Sequence, residues 1–507
     1  MPVYQSSQFN STAAGAPDLY VVIQPPQQTY VNGIPSDGLG LVGVGSWGPV
    51  NQPVTITGQP FGPVTVRAHD IATAAAIAQQ IGSTHQVGVR VTDGTDTKAT
   101  ADLMDTATTP AIGMTLTAKY SGVLGDQMTA AITAGTAAST NKLTISLPGY
   151  AQEVYDNIAG TGATFWANAV AAVTNGQNGL RGPSTVATAA VGVSTAAPNT
   201  TAVVQFAGGT DGTTTITDTV LIGSTGVVKT GMYALSNTGV QVGNLVDLTT
   251  TTTWPSIASF GMQSGILFHV SNARGTSIAA SVTNLSTSGV DSYAMTCLVG
   301  NWAAWNDTLN GVIRSIAPAT FTSALQASLS PEQSILNKVI SNIVALDDMT
   351  PYDDTAILAA AQGRVEMITW GIPASSGAFG CRVGQNTSSD PTRNGDNYSR
   401  MTNYIAYTIA SAYGSVIGQP QTTGLRQSTK ASLDAFFSNM QRNNMIGNVN
   451  APTKPGWNVQ LDANNNPTSQ VALGDMQANI TVTYLSIVRR FIAYVQGGQT
   501  VTVTPTA

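Results

Sequence analysis

Charge is what this sequence has least of. Asp, Glu, Lys and Arg make up 9% of 507 residues, against about 25% in an ordinary soluble domain. Thr, Ser, Asn and Gln supply the polarity instead. Amides and hydroxyls cost far less to bury than unpaired charges, so the composition suits a protein whose surface is covered by other protein. A secreted Thr/Gly-rich β protein would have the same texture, and composition alone leaves both open.

Other shortages exclude particular chemistries. The two cysteines, Cys297 and Cys381, form neither a metal-binding spacing nor a disulfide framework, and buried free thiols are expected. The net charge is −6 and no basic block occurs, which speaks against a nucleic-acid partner. The first cation is Arg67, so the start lacks the basic-then-apolar pattern of a secretory signal. No run approaches the ~20 apolar residues of a membrane helix. Synthesis in the cytoplasm, with no direct membrane insertion, is the expectation.

Catalytic and cofactor signatures are equally scarce. His69, His85 and His269 are isolated from one another and from the cysteines, so no metal site is expected. There is no Gly-Lys dipeptide for a phosphate loop and no G-x-S-x-G elbow. Gly38-Leu39-Gly40-Leu41-Val42-Gly43 matches G-x-G-x-x-G. That motif needs a strand before it and a helix after it, whereas here a turn (Asn32-Gly33-Ile34-Pro35) precedes and Gly45-Ser46-Trp47-Gly48-Pro49 follows. Asp347-Asp348 and Asp353-Asp354 read as caps at loop-to-helix junctions. No catalytic residue, metal or cofactor is assigned, and no enzyme activity is expected.

What is present reads as a multidomain α+β protein. Residues 38–50 and 53–56 look like buried strands, and 71–81 like a helix capped by Asp70. Short β-prone runs at 114–120, 128–133 and 142–147, with one helix at 165–173, suggest a β-rich insertion. Strands are expected at 266–270, 295–299 and 365–370. Helices are expected at 302–316, 330–343 and 354–361, the second from its Ser330-Pro331-Glu332 start. Met401, Ile405, Ile409, Ala412 and Val416 make one face of a helix over 398–416. A second helix is read over 433–445, with Ser432 as its cap, then strands at 456–466, 478–486, 490–496 and 500–504.

Several segments, in order, resemble the tail sheath family of contractile phages, especially its Mu-like branch. They are GVGSWGPVNQPVTI (43–56), AKYSGVLG (118–125), EVYDNI (153–158), RMTNYIAYTIASAYGSVIGQPQTTGLR (400–426), residues 431–447, and MQANITVTYLSIVRRFIAYVQGGQTVTV (476–503). The resemblance implies a mixed α/β core with an inserted β-rich outer domain and a C-terminal α+β domain completed by strands from neighbouring subunits. The corresponding divisions are a linking arm (1–19), core (20–105 and 216–375), insertion (106–215), tube-facing domain (376–497) and linking strand (498–507).

The implied function is that of a structural subunit. Six copies make a ring, rings stack into a helical sleeve around the tail tube, and contraction drives the tube through the host envelope. Besides further copies of itself, the implied partners are the tail tube protein and the baseplate and tail terminator proteins. The implied location is the virion, after assembly in the host cytoplasm. Strand exchange between subunits would use Val3, Tyr4, Gln5 and Ser6 at one end and Thr500, Val501, Thr502 and Val503 at the other, because uncharged β-prone arms bind through backbone amides. Arg426, Lys430 and Arg442 are the cations available to an acidic tube. A surface-layer protein, an enzyme with an unrecognised site, and the sheath of a related contractile injection device are the alternatives.

Overall fold

The structure, a computed structural model, describes residues 3–5, 21–23, 33–57, 61–62, 70–177, 179, 181–308 and 311–495. It divides into a larger unit, 35–403, and a smaller one built from 1–34 and 404–507.

The larger unit is organised on a seven-stranded sheet. Its order is Val365–Glu366, Met295–Leu298, Leu267–Ser271, Val242–Leu245, Gly38–Gly43, His85–Arg90 and Pro53–Thr55. All neighbours are parallel except the last pair. A parallel sheet needs both faces covered, and adjacent residues of a strand point to opposite faces. Leu39, Leu41, Val242 and Val246 pack against helices Ile71–Ile81 and Pro318–Ser328. Val42, Leu245, Phe268 and Cys297 share the other core with Trp254, Ile257 and Leu285 of helices Trp254–Ser264 and Ile278–Ser288. The G-x-G-x-x-G run is thus an interior strand of this sheet, between Val242–Leu245 and His85–Arg90. Its glycines serve packing: a Cβ on Gly43 would lie 3.1 Å from Val246 Cβ, and one on Gly40 2.9 Å from Leu235 Cδ1.

The β-rich part of this unit has two antiparallel sheets. One runs Glu153–Ile158, Asn141–Ser146, Thr129–Ala134, Val203–Gln205, and the other Ala187–Val191, Ile112–Ala118, Thr100–Met104. Helix Ala163–Asn175 presents Phe165, Trp166, Ala169, Ala172 and Val173 to their shared core. Trp47, which follows strand Gly38–Gly43, inserts into that same core.

Two expected helices are not helices. Instead of the first, Ala303–Asp307 pairs antiparallel with Val312–Ile316, and Gly311, just before the second strand, has φ +66°. Burial over Ala303–Asp307 alternates with a period of two, the strand period that the Ala- and Trp-rich composition conceals. Over 330–343 the chain makes turns and begins the short strands Val339–Ile340 and Ile343–Leu346. The helix of this region is Pro318–Ser328, with Pro at its first position and its first ten residues buried. A helix with no polar face has no amphipathic period to read.

In the smaller unit, helix Asp396–Tyr413 enters from the larger unit and a 3-10 turn, Gly414–Val416, follows it. The next helix is Thr423–Arg442, ten residues longer at its start than the sequence suggests. Its cap is Thr422, whose hydroxyl accepts from Leu425 N at 3.1 Å; Ser432 instead bonds Thr429 O from mid-helix. Trp457–Gln460 and Asn479–Val482 make a two-stranded antiparallel sheet.

Candidate functional site

The candidate residues fall mainly on the smaller unit. At the chain start, Val3–Gln5 pairs in parallel with Val21–Ile23, in register Val3↔Val21, Tyr4↔Val22, Gln5↔Ile23. No third strand joins them among the described residues. A two-stranded sheet is marginal by itself. Ser6, and Thr500, Val501, Thr502 and Val503, lie outside the described residues.

Beyond Asn479–Val482, the strand expected over 490–496 is absent from residues 490–495. The segment has strand-type residues but no ladder, and a strand exists only where its backbone groups are paired. Its side chains are in water: Val488 is 76% exposed, Phe491 88%, Tyr494 94% and Val495 91%. Scattered surface apolar residues are ordinary, but a run of them marks an interaction site.

The three candidate cations are all on helix Thr423–Arg442. Lys430 Nζ lies 3.5 Å from Asp434 Oδ2, one turn on, and Asp434 Oδ1 also accepts from Trp457 Nε1 at 3.2 Å. Arg442 is in the last turn, where a cation complements unpaired helix carbonyls. Arg426 is half-buried, and its Nε has no hydrogen-bond partner. Beside this charged stripe is a feature the sequence does not announce, a groove of about 400 Å³. Leu425, Thr429 and Leu433, four residues apart, form one wall, faced by Ile409, Tyr413 and Ile480. Ile417 at its rim is 85% exposed.

Elsewhere the titratable groups hold structure together. Glu366, 0% exposed, accepts backbone N–H bonds from Met367, Arg382, Val383 and Gly384. Burial pushes its carboxyl up to about 7, against the pull of those donors. His269, 1% exposed, shares a 2.9 Å bond from Nδ1 with Thr322 Oγ1. Burial, assisted by the Arg400 charge, lowers it to about 3, so the ring is neutral. Both cysteines are free and buried, and burial raises the Cys297 thiol to about 12. Asp353 caps helix Asp354–Gln362 through Ala356 N at 2.7 Å. Asp347 pairs with Arg274 at 2.6 Å and Asp348 accepts from Thr350 N, so neither is a helix cap. Among the described residues no group of three or more His, Cys, Asp or Glu is placed to hold a metal. None of the described helices is long and apolar enough to cross a membrane.

Compared by sequence, the chain matches no protein-family model and no curated protein. Compared by structure, it superposes on the crystal structure of a sheath tail protein from Desulfitobacterium hafniense with a TM-score of 0.56 at 16% identity, covering 88% of this chain and 94% of that one. A sheath tail protein from Listeria innocua gives a TM-score of 0.59 at 16% identity, over 84% of this chain and 89% of the other. The fold is that of the sheath tail proteins. Because the match runs over most of both chains, it includes the parallel-sheet body and the β-rich part together, and the α+β class read from the sequence holds.

Proposed function

We propose that this chain is the sheath subunit of a contractile phage tail, polymerising as stacked hexameric rings around a tail tube and shortening to drive the tube through a host envelope. The observation that carries the reading is the shared fold, which extends over nearly the whole of two sheath tail proteins. The sequence segments that resemble the family support it independently, and they alone carry the Mu-like branch. A low charge content and the exposed apolar side chains of Val488, Phe491, Tyr494 and Val495 suit a subunit completed by its neighbours.

In this reading the strand Val3–Gln5 and the segments 490–496 and 500–504 are lent to adjoining copies, whose sheets they extend. Each backbone hydrogen bond contributes about 0.5–1.5 kcal/mol net, so an arm of several residues contributes a few kcal/mol, and a lattice multiplies it. Such links hold bodies together while they pivot. Residues 106–215 form the outer domain and 376–497 the tube-facing one. Arg426, Lys430 and Arg442 contact an acidic tube, and baseplate and terminator proteins close the two ends. Contraction needs no nucleotide if the extended sleeve is metastable. The sheath of a related contractile injection device would work by the same contacts.

Electron microscopy of the purified chain tests the proposal. Long hollow tubes with sixfold rings are expected, and a chain that stays monomeric at every concentration and salt condition would overturn it.

A further inference from the structure

Helix Pro318–Ser328 meets the parallel sheet through polar side chains. Ser271 Oγ accepts from Ala319 N at 2.9 Å, Asn244 Nδ2 donates to Thr320 Oγ1 at 3.1 Å, and His269 Nδ1 lies 2.9 Å from Thr322 Oγ1. His269 is paired with Thr296 across adjacent parallel strands, so both side chains leave the sheet on the side of this helix. Gln326 is one turn beyond Thr322. Its carbonyl, with those of Leu329 and Ser36, accepts from the Arg400 guanidinium at 2.5, 2.7 and 2.6 Å. Thr296, Gln326 and Arg400 are 0% exposed and His269 1%.

Each of these four residues keeps a buried polar atom without a protein partner: Thr296 Oγ1, His269 Nε2, Arg400 Nε, and both Nε2 and Oε1 of Gln326. Buried polar atoms are nearly always hydrogen-bonded, and the mixture of donors and acceptors defines what would bond these. The Thr322 hydroxyl proton is engaged with Pro318 O at 3.2 Å. Thr322 Oγ1 therefore accepts from His269 Nδ1–H, and Nε2 of the neutral ring presents a lone pair. Arg400 Nε only donates. Gln326 has one donor and one acceptor atom whichever way its amide is turned. An anion would face the lone pairs of His269 and Gln326, and a cation would face Arg400. Asp396, Glu332 and Asp37 already supply negative charge around Arg400, so no counter-ion is required.

We infer that this junction of helix and sheet is a binding site for ordered water. The water donates to His269 Nε2 and Gln326 Oε1, accepts from Arg400 Nε and Gln326 Nε2, and is completed by Thr296 Oγ1. Water donates and accepts without bringing charge, which is what this set of atoms requires. A buried water makes about three hydrogen bonds, so five protein atoms suffice for about two molecules. The site accounts for a helix whose Thr320, Thr322, Ser323 and Gln326 are all buried: protein groups bond its first turns to the sheet, and water bonds the last.

A crystal or electron-microscopy map of the full chain, at a resolution that shows ordered water, tests the site. Density is expected within about 2.5–3.2 Å of Gln326 and of at least two of the other atoms. A dry site overturns the inference, and so does a peak with the coordination of an ion. Thr296→Val and Gln326→Met provide a second reading, since each removes polar atoms at nearly constant shape. If water bonds those atoms, each variant strands a partner, and its melting temperature should fall by about 1–3 °C. Both changes touch one cluster, so the double variant should lose less than the sum. If the atoms are simply unpaired, removing them relieves a burial penalty, and the melting temperature holds or rises. That result overturns the inference. Losses that strictly add overturn it too, because two independent misfits would behave in that way.

Discussion

Trp47 meets Tyr120 edge-on, with ring centroids 5.5 Å apart and planes at 83°. Trp47 belongs to the segment after strand Gly38–Gly43 of the parallel sheet, and Tyr120 to the β-rich part. Tyr150 lies on another side of the indole at 6.4 Å. Arg90, at the end of strand His85–Arg90, reinforces the joint by donating to Gly48 O at 3.0 Å and Ser121 O at 2.7 Å. The two parts are therefore fastened by a shared core as well as by the chain.

Trp47→Ala should cost about 3–5 kcal/mol, the range for emptying a buried Trp site. Denaturant unfolding would register it as a lower midpoint. A loss below about 1 kcal/mol would show that the indole is not the joint. Trp47→Phe should recover part of the loss.

Some of this is legible in the sequence. Helix Ile71–Ile81 and its Asp70 cap can be read because the apolar period and the cap coincide, and the structure has Thr73 N bonded to Asp70 at 2.7 Å. Helix Pro318–Ser328 cannot, because Thr320, Thr322, Ser323 and Gln326 are buried along with its apolar residues and give no polar stripe. The hairpin arms 303–307 and 312–316 read as a helix because Ala favours helices locally, whereas the strand that completes their sheet, Ile343–Leu346, lies further along the chain. The groove is invisible for a similar reason. Its walls come from residues as separate as Ile409, Leu433 and Ile480, and no window of sequence contains them together.

Glu366 and His269 should give stability opposite dependences on pH. The Glu366 carboxyl is raised to about 7 in the folded chain, from about 4.3 in an unfolded one. The folded state thus holds the extra proton, and this contribution, complete at low pH, is lost as pH rises through 7. Replacing Glu366 with Gln should remove it, so that the variant loses stability on acidification from pH 7 to 5 by comparison with the parent. A slope of at most about 1.4 kcal/mol per pH unit is the limit for one proton. Identical slopes for parent and variant, measured by urea unfolding at each pH, would refute the assignment.

His269 runs the other way. Its folded value of about 3 lies below the ordinary ~6.5, so the unfolded chain takes up the proton first and stability falls as pH drops through 6.5. Between about pH 4.5 and 6.5 the two residues oppose each other and partly cancel. His269→Gln should expose the Glu366 slope, making the variant gain stability, relative to the parent, as pH falls from 7 to 5. A variant that tracks the parent's pH profile would show that His269 does not titrate in this window.

Deleting residues 1–12 or 498–507 should shorten or abolish sleeves without unfolding the subunit. The strand Val3–Gln5 has only Val21–Ile23 for a partner among the described residues, so its loss removes little from its own chain. Chain ends are often dispensable for folding, and that makes the comparison clean. Electron microscopy of the truncated proteins, alongside their melting curves, decides it. Sleeves of normal length would mean that the arms are not the links.

Charge reversal at Arg426, Lys430 and Arg442 separates tube binding from self-assembly. Exposed pairs such as Lys430–Asp434 contribute only about 0–1 kcal/mol, and reversal at Arg442 forfeits a helix-end interaction of about 0.3–1 kcal/mol. Arg426 is half-buried, so its reversal adds a desolvation cost beyond these two, and the triple variant's melting curve is compared with the parent's before its assembly is read. Against an acidic tube, the same three changes turn attraction into repulsion at every subunit, so assembly on tubes should fall steeply while tubeless polymer persists. Salt provides the check on cause. Screening shortens the reach of charge to about 8 Å at physiological ionic strength and about 3 Å at 1 M, so raising salt should weaken the parent's tube binding and narrow its difference from the variant. A variant that assembles on tubes as the parent does, at low salt, would remove these cations from the tube contact.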